Sequence, residues 1–242
     1  MSEAYAANYG YILHVLQERY GDALPSLSIL DFGCGKGGLV EYLRSQGLNV
    51  VGADPYDDRY GLWQKDKPYL QRIENDTLPF ADDHFDIVVS NQVFEHIPDH
   101  TKPLSEIHRV LKKGGYFLAL FPTIETVYEV HSGVYGAYYL KKFPTVLRYY
   151  LQAARLTGAG LWHHKMTPRR WGRMLRDIIV RECHYQTHGK IKKSWRVAFG
   201  SEPTLHQGHF LKYRVPKAKI LPDAVAGLIA TLRAGIVISI VK

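Results

Sequence analysis

A chain of 242 residues, 46% apolar and 22% charged, is long enough to bury a large core, and this composition excludes a disordered or low-complexity polypeptide. Two cysteines, Cys34 and Cys183, are too few for a disulfide framework and point to a reducing compartment such as the cytoplasm. The net charge of +8 is split: residues 1–122 carry 11 Lys and Arg against 17 Asp and Glu, whereas residues 123–242 carry 20 against 6, so an anion or a different partner is expected to face the second half.

Met1-Ser2-Glu3-Ala4-Tyr5 lacks the basic-then-apolar pattern of a secretory leader, which again leads to a cytoplasmic expectation. Tyr9, Ile12 and the run Leu13 to Tyr20 predict a helix closed by Gly21. Ser28 to Phe32 reads as the first strand and Gly38 to Gln46 as the first helix after it, stopped by Gly47. Asn49 to Ala53 is the second strand and ends on Asp54; Phe85 to Ser90 is a later buried strand. Pro103 to Leu111 predicts an amphipathic helix, which Lys112-Lys113-Gly114-Gly115 should close with cations and glycines at its end. Tyr116 to Phe121 is the next strand.

After Pro122 the strand–helix alternation stops. Residues 123–165 are rich in Tyr and Lys and predict a helical insert. Thr167 and Pro168 have the residue types of an N-cap and a first helical position, so a helix runs from Pro168 to Ile179. Val180 to Thr187 reads as a strand and 188–220 as irregular and basic. The apolar run Ala224 to Val241 approaches membrane-spanning length, but Arg233 and Gly235 interrupt it. It reads as a helix and a buried strand, so no transmembrane segment is expected, with peripheral membrane contact as an alternative.

The sharpest local signal is Ile29-Leu30-Asp31-Phe32-Gly33-Cys34-Gly35-Lys36-Gly37-Gly38, a strand entering a glycine turn that opens a helix. Glycine suits such a turn because the backbone bends tightly and lets a ligand approach where a Cβ would stand. Alone, Gly33-x-Gly35-x-x-Gly38 with Asp54 downstream also satisfies the dinucleotide pattern.

Four blocks in order decide between the alternatives by resemblance. Asp31-x-Gly33-x-Gly35-x-Gly37 resembles the first motif of class I S-adenosylmethionine-dependent methyltransferases, and Val51-Gly52-Ala53-Asp54-Pro55 the second. Leu78 to Ser90, continuing into Val93-Phe94-Glu95-His96-Ile97-Pro98-Asp99, is similar to the third, and Ile107 to Gly115 to the fourth. The acid Asp31 favours the cationic amino group of that cofactor and would repel a pyrophosphate. The resemblance spans roughly residues 26–122. It implies a Rossmann-like, doubly wound α/β fold with a mostly parallel seven-stranded sheet, helices on both faces and an insert after strand five. It also implies S-adenosylmethionine as cofactor. The division expected is a cofactor-binding core over 1–122, a substrate-binding lid over 123–165, and completion of the sheet over 166–242.

Carried over residue by residue, the resemblance places Asp31, Gly33, Cys34, Gly35 and Gly37 under the methionine and ribose portions and gives the ribose to Asp54, followed by Pro55. Glu74, Asn75 and Asp76 occupy the adenine-reading stretch, and Asn91 the methionine end. Methyl transfer from a sulfonium is an in-line displacement that needs mainly alignment, with a base only where the acceptor must lose a proton. The candidates for that base are His96, beside Glu95, and Glu129 and His131, which share a face of an extended segment; Glu125 lies in the same loop. His163-His164 and the pair Cys183 and His188 lack the paired short spacings of zinc sites, so no metal is expected.

The acceptor is expected to be a small molecule or lipid, anionic if Lys141, Lys142, Arg148 and Arg155 steer it. Tyr128, Tyr135, Tyr138, Tyr139, Tyr149, Tyr150 and Trp162 would supply an aromatic pocket. A basic half interleaved with aromatics makes nucleic acid the second choice of partner and an RNA methyltransferase the alternative. Against it, Asn91-Gln92-Val93-Phe94 stands where amino-group methylases of that kind carry Asn/Asp-Pro-Pro-aromatic. A non-catalytic cofactor-binding protein and a nicotinamide oxidoreductase are the remaining readings.

Overall fold

The computed structural model describes residues 3–55, 67–161 and 166–242. Helix α1 (Glu3–Tyr20) precedes β1 (Ser28–Phe32), α2 (Gly38–Ser45), β2 (Asn49–Asp54), β3 (Leu70–Arg72), β4 (Phe85–Asn91), α3 (Thr101–Val110) and β5 (Leu111–Phe121). There follow β6 (Tyr128–Glu129), β7 (Val134–Tyr135), α4 (Pro144–Leu156), α5 (Pro168–Arg181), α6 (His188–Phe199), β8 (Thr204–Leu205), α7 (Gln207–Arg214), α8 (Asp223–Ala234) and β9 (Ile236–Val241).

Seven strands form one sheet in the order β3-β2-β1-β4-β5-β9-β8. The first five are mutually parallel, β9 runs antiparallel to β5, and β8 antiparallel to β9. The central strands are almost wholly apolar because helices cover both faces. Ile29, Val50, Ile87, Val89 and Leu118 pack with Ile12 and Leu16 of α1 and Val40 and Leu43 of α2. Leu30, Val88, Phe117 and Ile238 pack on the opposite face with Leu104 and Ile107 of α3 and Trp195 of α6. The Trp195 ring stacks on Phe117 with centroids 4.4 Å apart. The strand order reverses between β1 and β4, which opens a crevice at their carboxyl ends.

Three expectations need correction. The stretch Lys112–Gly115 does not merely close a helix: α3 stops at Val110, and β5 already begins at Leu111, with a register shift opposite Phe85 to Ile87 and Gly114 at φ +76° absorbing the irregularity. Val180 to Thr187 is not a strand, because α5 continues to Arg181 and the segment beyond it bonds to two loops instead of a ladder. Residues 188–220 are not irregular; they build α6, β8 and α7, with Thr187 capping α6 by accepting the Lys190 N–H.

The segment after β5 holds a short β6–β7 hairpin as well as helix. Val134, Ala137, Leu147 and Leu151 bury themselves against Trp171, Leu175 and Ile179, so one apolar cluster joins α4 to α5 and continues past residue 165. The Trp171 indole N–H donates to the Leu161 carbonyl at 2.6 Å. At the far end Gly235, at φ +107°, turns α8 into β9; a Cβ there would stand 2.2 Å from the Phe121 carbonyl oxygen. Among the described residues no helix is long and apolar enough to cross a membrane.

Candidate active site

The loop between β1 and α2 is shaped by three glycines at positive φ: Gly33 (+77°), Gly35 (+51°) and Gly37 (+80°). The N–H groups of Gly33 and Cys34 both donate to the Ala53 carbonyl, at 2.8 and 3.2 Å, tying the loop to β2. A Cβ on Gly33 would stand 2.4 Å from Val93 Cγ2, whereas one on Gly35 would meet open space. The loop therefore leaves room above Gly35 for a ligand. Cys34 is buried, and its sulfur lies where a Cβ on Gly52 would have to go, so it fills the space between loop and β2.

Two carboxyl groups line this loop. Asp54, at the end of β2, accepts the Gly35 N–H through Oδ2 at 3.0 Å, and the exposed Pro55 follows it. Asp31 is buried, and its pKa is pushed up to about 8, first by burial and then by the charge of Asp54. A buried acid beside a second acid suits a ligand carrying a cation and opposes a pyrophosphate. Glu74, Asn75 and Asp76 form an exposed turn directly after β3, with Asn75 and Asp76 at positive φ. Ile73 N–H donates to the Asp54 carbonyl, so this turn begins beside the same acid. Asn91 ends β4, and its Oδ1 accepts Asn8 Nδ2 from α1 at 3.0 Å. Asn8 was not foreseen; the available signal was a polar residue one turn from Ile12 on the apolar face of α1.

A second group of side chains gathers where the loops after β4, β5 and α5 meet. The Glu95 carbonyl accepts His184 N–H at 2.6 Å, and Gln186 supplies a carbonyl to Ile124 N–H at 3.1 Å, which draws the three loops together. Glu129, fully buried, accepts N–H groups of His131 and Ser132 at 3.1 and 2.6 Å and the Tyr185 hydroxyl at 2.8 Å. Its carboxylate also takes His131 Nδ1 at 2.9 Å. Burial opposes the charge on Glu129, but His131 and these donors hold its pKa below the usual range. The His131 imidazole is raised well above its ordinary value by Cys183 and Glu129 in spite of its burial. Cys183 Sγ lies 3.6 Å from His131 Nδ1. His96 is held by Nδ1–H donating to the Glu182 carbonyl at 2.8 Å, and its ring meets His131 edge-on at 5.1 Å. Glu95 is buried with neither carboxylate oxygen hydrogen-bonded, and burial pushes it up to about 8.

The structure thus brings the sequence candidates His96, Glu129 and His131 into one cluster, and adds Glu95, Cys183 and Tyr185. Nothing in local spacing could join Cys183 and Tyr185 to the other members, since they lie more than fifty residues from His131. Glu125 lies elsewhere: its carboxylate accepts the His188 N–H at 2.9 Å at the start of α6. Of the aromatic residues, Tyr138 reaches the cluster, stacking on Tyr185 at 4.0 Å. Tyr135, Tyr139, Tyr149 and Tyr150 are exposed, and Tyr128 meets Tyr135 edge-on, so these do not form an enclosed pocket. Lys141 is not an outlying charge: its ammonium donates to the Cys183 carbonyl, and burial lowers its pKa. The Arg148 guanidinium covers the Tyr149 ring, while Lys142 is exposed. Trp162, His163 and His164 lie outside the described residues.

The family model described as "Methyltransferase domain" matches residues 30–119, the stretch from β1 to β5. The sarcosine/dimethylglycine N-methyltransferase of Halorhodospira halochloris is 26% identical over 200 residues, covering 76% of this chain and 71% of that protein. The ubiquinone biosynthesis O-methyltransferase of Paramagnetospirillum magneticum is 28% identical over 205 residues, covering 81% and 75%. Among solved structures, an S-adenosylmethionine-dependent methyltransferase from Mesorhizobium loti superposes with a TM-score of 0.55 at 16% identity, covering 95% of this chain and 96% of that one, and so shares the fold. The cofactor is S-adenosylmethionine, and the glycine loop with its two acids fits it. Residues 30–119 thus carry a methyltransferase domain, and the chain is an S-adenosylmethionine-dependent methyltransferase with a Rossmann-like fold.

Proposed function

We propose that this enzyme methylates a small-molecule acceptor bound where the loops after β4, β5 and α5 converge. The observation that carries this reading is the cluster of Glu95, His96, Glu129, His131, Cys183 and Tyr185. Loops at the carboxyl ends of parallel strands line the ligand crevice of this fold, which opens between β1 and β4 with β5 next to β4. Two of its relatives are named for sarcosine with dimethylglycine and for ubiquinone biosynthesis, which supports a small-molecule acceptor here.

On this reading Asp31, Gly33, Cys34, Gly35, Gly37, Asp54 and Pro55 hold the methionine and ribose portions of the cofactor. Glu74, Asn75 and Asp76 face its adenine, and Asn91, steadied by Asn8, faces the methionine end. S-adenosylmethionine supplies a methyl group on a positively charged sulfur, which needs alignment more than activation. The acidic side chains of the loop favour the cation, and the convergent loops orient the acceptor and take up its proton when a hydroxyl, thiol or ammonium is methylated. On the same reading α4 and α5, which one apolar cluster joins, form the wall over this site. Its basic surface, continued by α6, favours an acceptor with negative charge.

The test is transfer of labelled methyl to a panel of carboxylate- or phosphate-bearing amines, phenols and thiols, alongside bulk RNA. Label in one small-molecule class, lost in Glu129→Gln with cofactor binding retained, is the expected result. Label in RNA alone would replace this reading by nucleic-acid methylation.

A further inference from the structure

The His96–His131–Cys183 cluster has the constitution of a metal centre. One donor atom from each of the three residues lies within 4.8 Å of those of the others. The loops that bring them together start from the ends of β4, β5 and α5, so no short sequence spacing announces the set. His96 donates Nδ1–H to the Glu182 carbonyl, which fixes the tautomer and leaves the Nε2 lone pair for another partner. A backbone carbonyl on the far ring nitrogen is the usual support of a metal-bound imidazole. His131 Nδ1 and Cys183 Sγ stand 3.6 Å apart, close to the separation of two ligands on one tetrahedral ion with bonds near 2.0 and 2.3 Å.

A second observation points the same way. Glu95 is 1% exposed, neither carboxylate oxygen has a hydrogen-bond partner, and Oε1 lies 3.9 Å from His96 Nε2. Glu129, also buried, flanks the other imidazole. A buried carboxylate without partners is costly unless a cation stands nearby. Glu129 is met by His131 and three further donors, whereas no Lys or Arg side chain pairs with Glu95 among the described residues, so a cation beside His96 is what that carboxyl lacks.

We propose that His96 Nε2, His131 Nδ1 and Cys183 Sγ bind one zinc ion, which displaces to solvent the proton that His131 Nδ1 shares with Glu129 and the thiol proton of Cys183, and leaves Glu95 and Glu129 as outer carboxylates. Two imidazoles and a thiolate select zinc over magnesium or calcium, which prefer oxygen donors. Three protein ligands leave a fourth position, and His96, the exposed member of the set, places it at the open edge. There the ion offers a Lewis acid to an oxygen or sulfur atom of the acceptor, a consequence that rests on the function proposed above; zinc binding does not.

The experiment uses the full chain, stripped with a chelator and titrated with Co²⁺, then with Zn²⁺ in competition. Expected are one equivalent of Co²⁺, a thiolate-to-cobalt charge-transfer band in the near ultraviolet, and its displacement by one equivalent of Zn²⁺. The band is lost in Cys183→Ser and kept in Cys34→Ser. His96→Gln, at an exposed position and so tolerant of change, weakens binding by at least the about 10–100-fold that loss of a metal's outer partner costs. Retained binding of S-adenosylhomocysteine confirms that each variant is folded. Absence of stoichiometric Co²⁺ binding, or a charge-transfer band that survives Cys183→Ser, overturns the proposal, and neither result bears on methyl transfer itself.

Discussion

Replacing Asp31 by Asn removes one ionisable carboxyl from the floor of the glycine loop and almost nothing else. In the ligand-free protein the Asp31 carboxyl titrates at about 8 instead of its ordinary 3.8, because it is buried and faces Asp54. One unit below that value, at pH 7, about nine in ten molecules hold the proton. The folded state therefore keeps a proton that the unfolded chain releases between about pH 4 and 8. The stability contributed by this group is complete below pH 4 and is lost as pH rises through 8. The loss runs at about 1.4 kcal/mol per unit, or on the order of 4 kcal/mol by pH 7. Asn, neutral throughout, escapes it, so Asp31→Asn without ligand is expected to gain on the parent progressively across that window in urea melts.

Cofactor binding should show the opposite preference, since the cationic amino group of the ligand favours the ionised acid. Binding of S-adenosylhomocysteine at pH 7 is then expected to release about 0.9 proton, and affinity to rise about tenfold per pH unit until pH approaches 8. In Asp31→Asn both the proton release and the pH slope vanish, and affinity falls by about tenfold or more through loss of a charge-assisted bond. Calorimetry in buffers of different ionisation enthalpy measures the proton count directly. Binding without proton release in the parent, together with unchanged affinity in Asp31→Asn, would refute the placement of the cofactor cation at this acid.

Asp54→Ala is expected to weaken S-adenosylhomocysteine by about tenfold or more with little change in melting temperature, measured by calorimetry and circular dichroism. Gly33→Ala meets both φ +77° and a contact of 2.4 Å with Val93, so it should destabilise by about 1–3 kcal/mol; Val93→Ala in the same chain relieves the contact and leaves the backbone strain, giving partial recovery in denaturant melts. Trp171→Ala empties the centre of the α4–α5 cluster and leaves the Leu161 carbonyl without its indole donor, at a cost of about 3–5 kcal/mol. Unaltered cofactor affinity in the folded fraction of Trp171→Ala would show that this cluster supports the acceptor side alone.

The β1-loop-α2 segment was legible from sequence because its determinants are local: the glycines that must take positive φ and the acids at the ends of β1 and β2 lie within a few residues of the turn they build. Strands β4 and β5 were legible for a related reason, since burial on both faces writes a continuous apolar run. The stretch 180–220 was misread because Val180 to Thr187 has a strand's composition but no ladder within reach, and α6 carries its apolar residues among lysines. The lysines thought to steer an acceptor divided only in space: Lys141 turned inward to the Cys183 carbonyl while Lys142 stayed in solvent. By itself, then, the sequence determined the cofactor half of the protein, where chemistry follows chain order. Only the tertiary structure decided the other half, where Glu95, His96, Glu129, His131, Cys183 and Tyr185 meet because three strand- and helix-ending loops converge, and convergence between distant segments leaves no periodic mark in the chain.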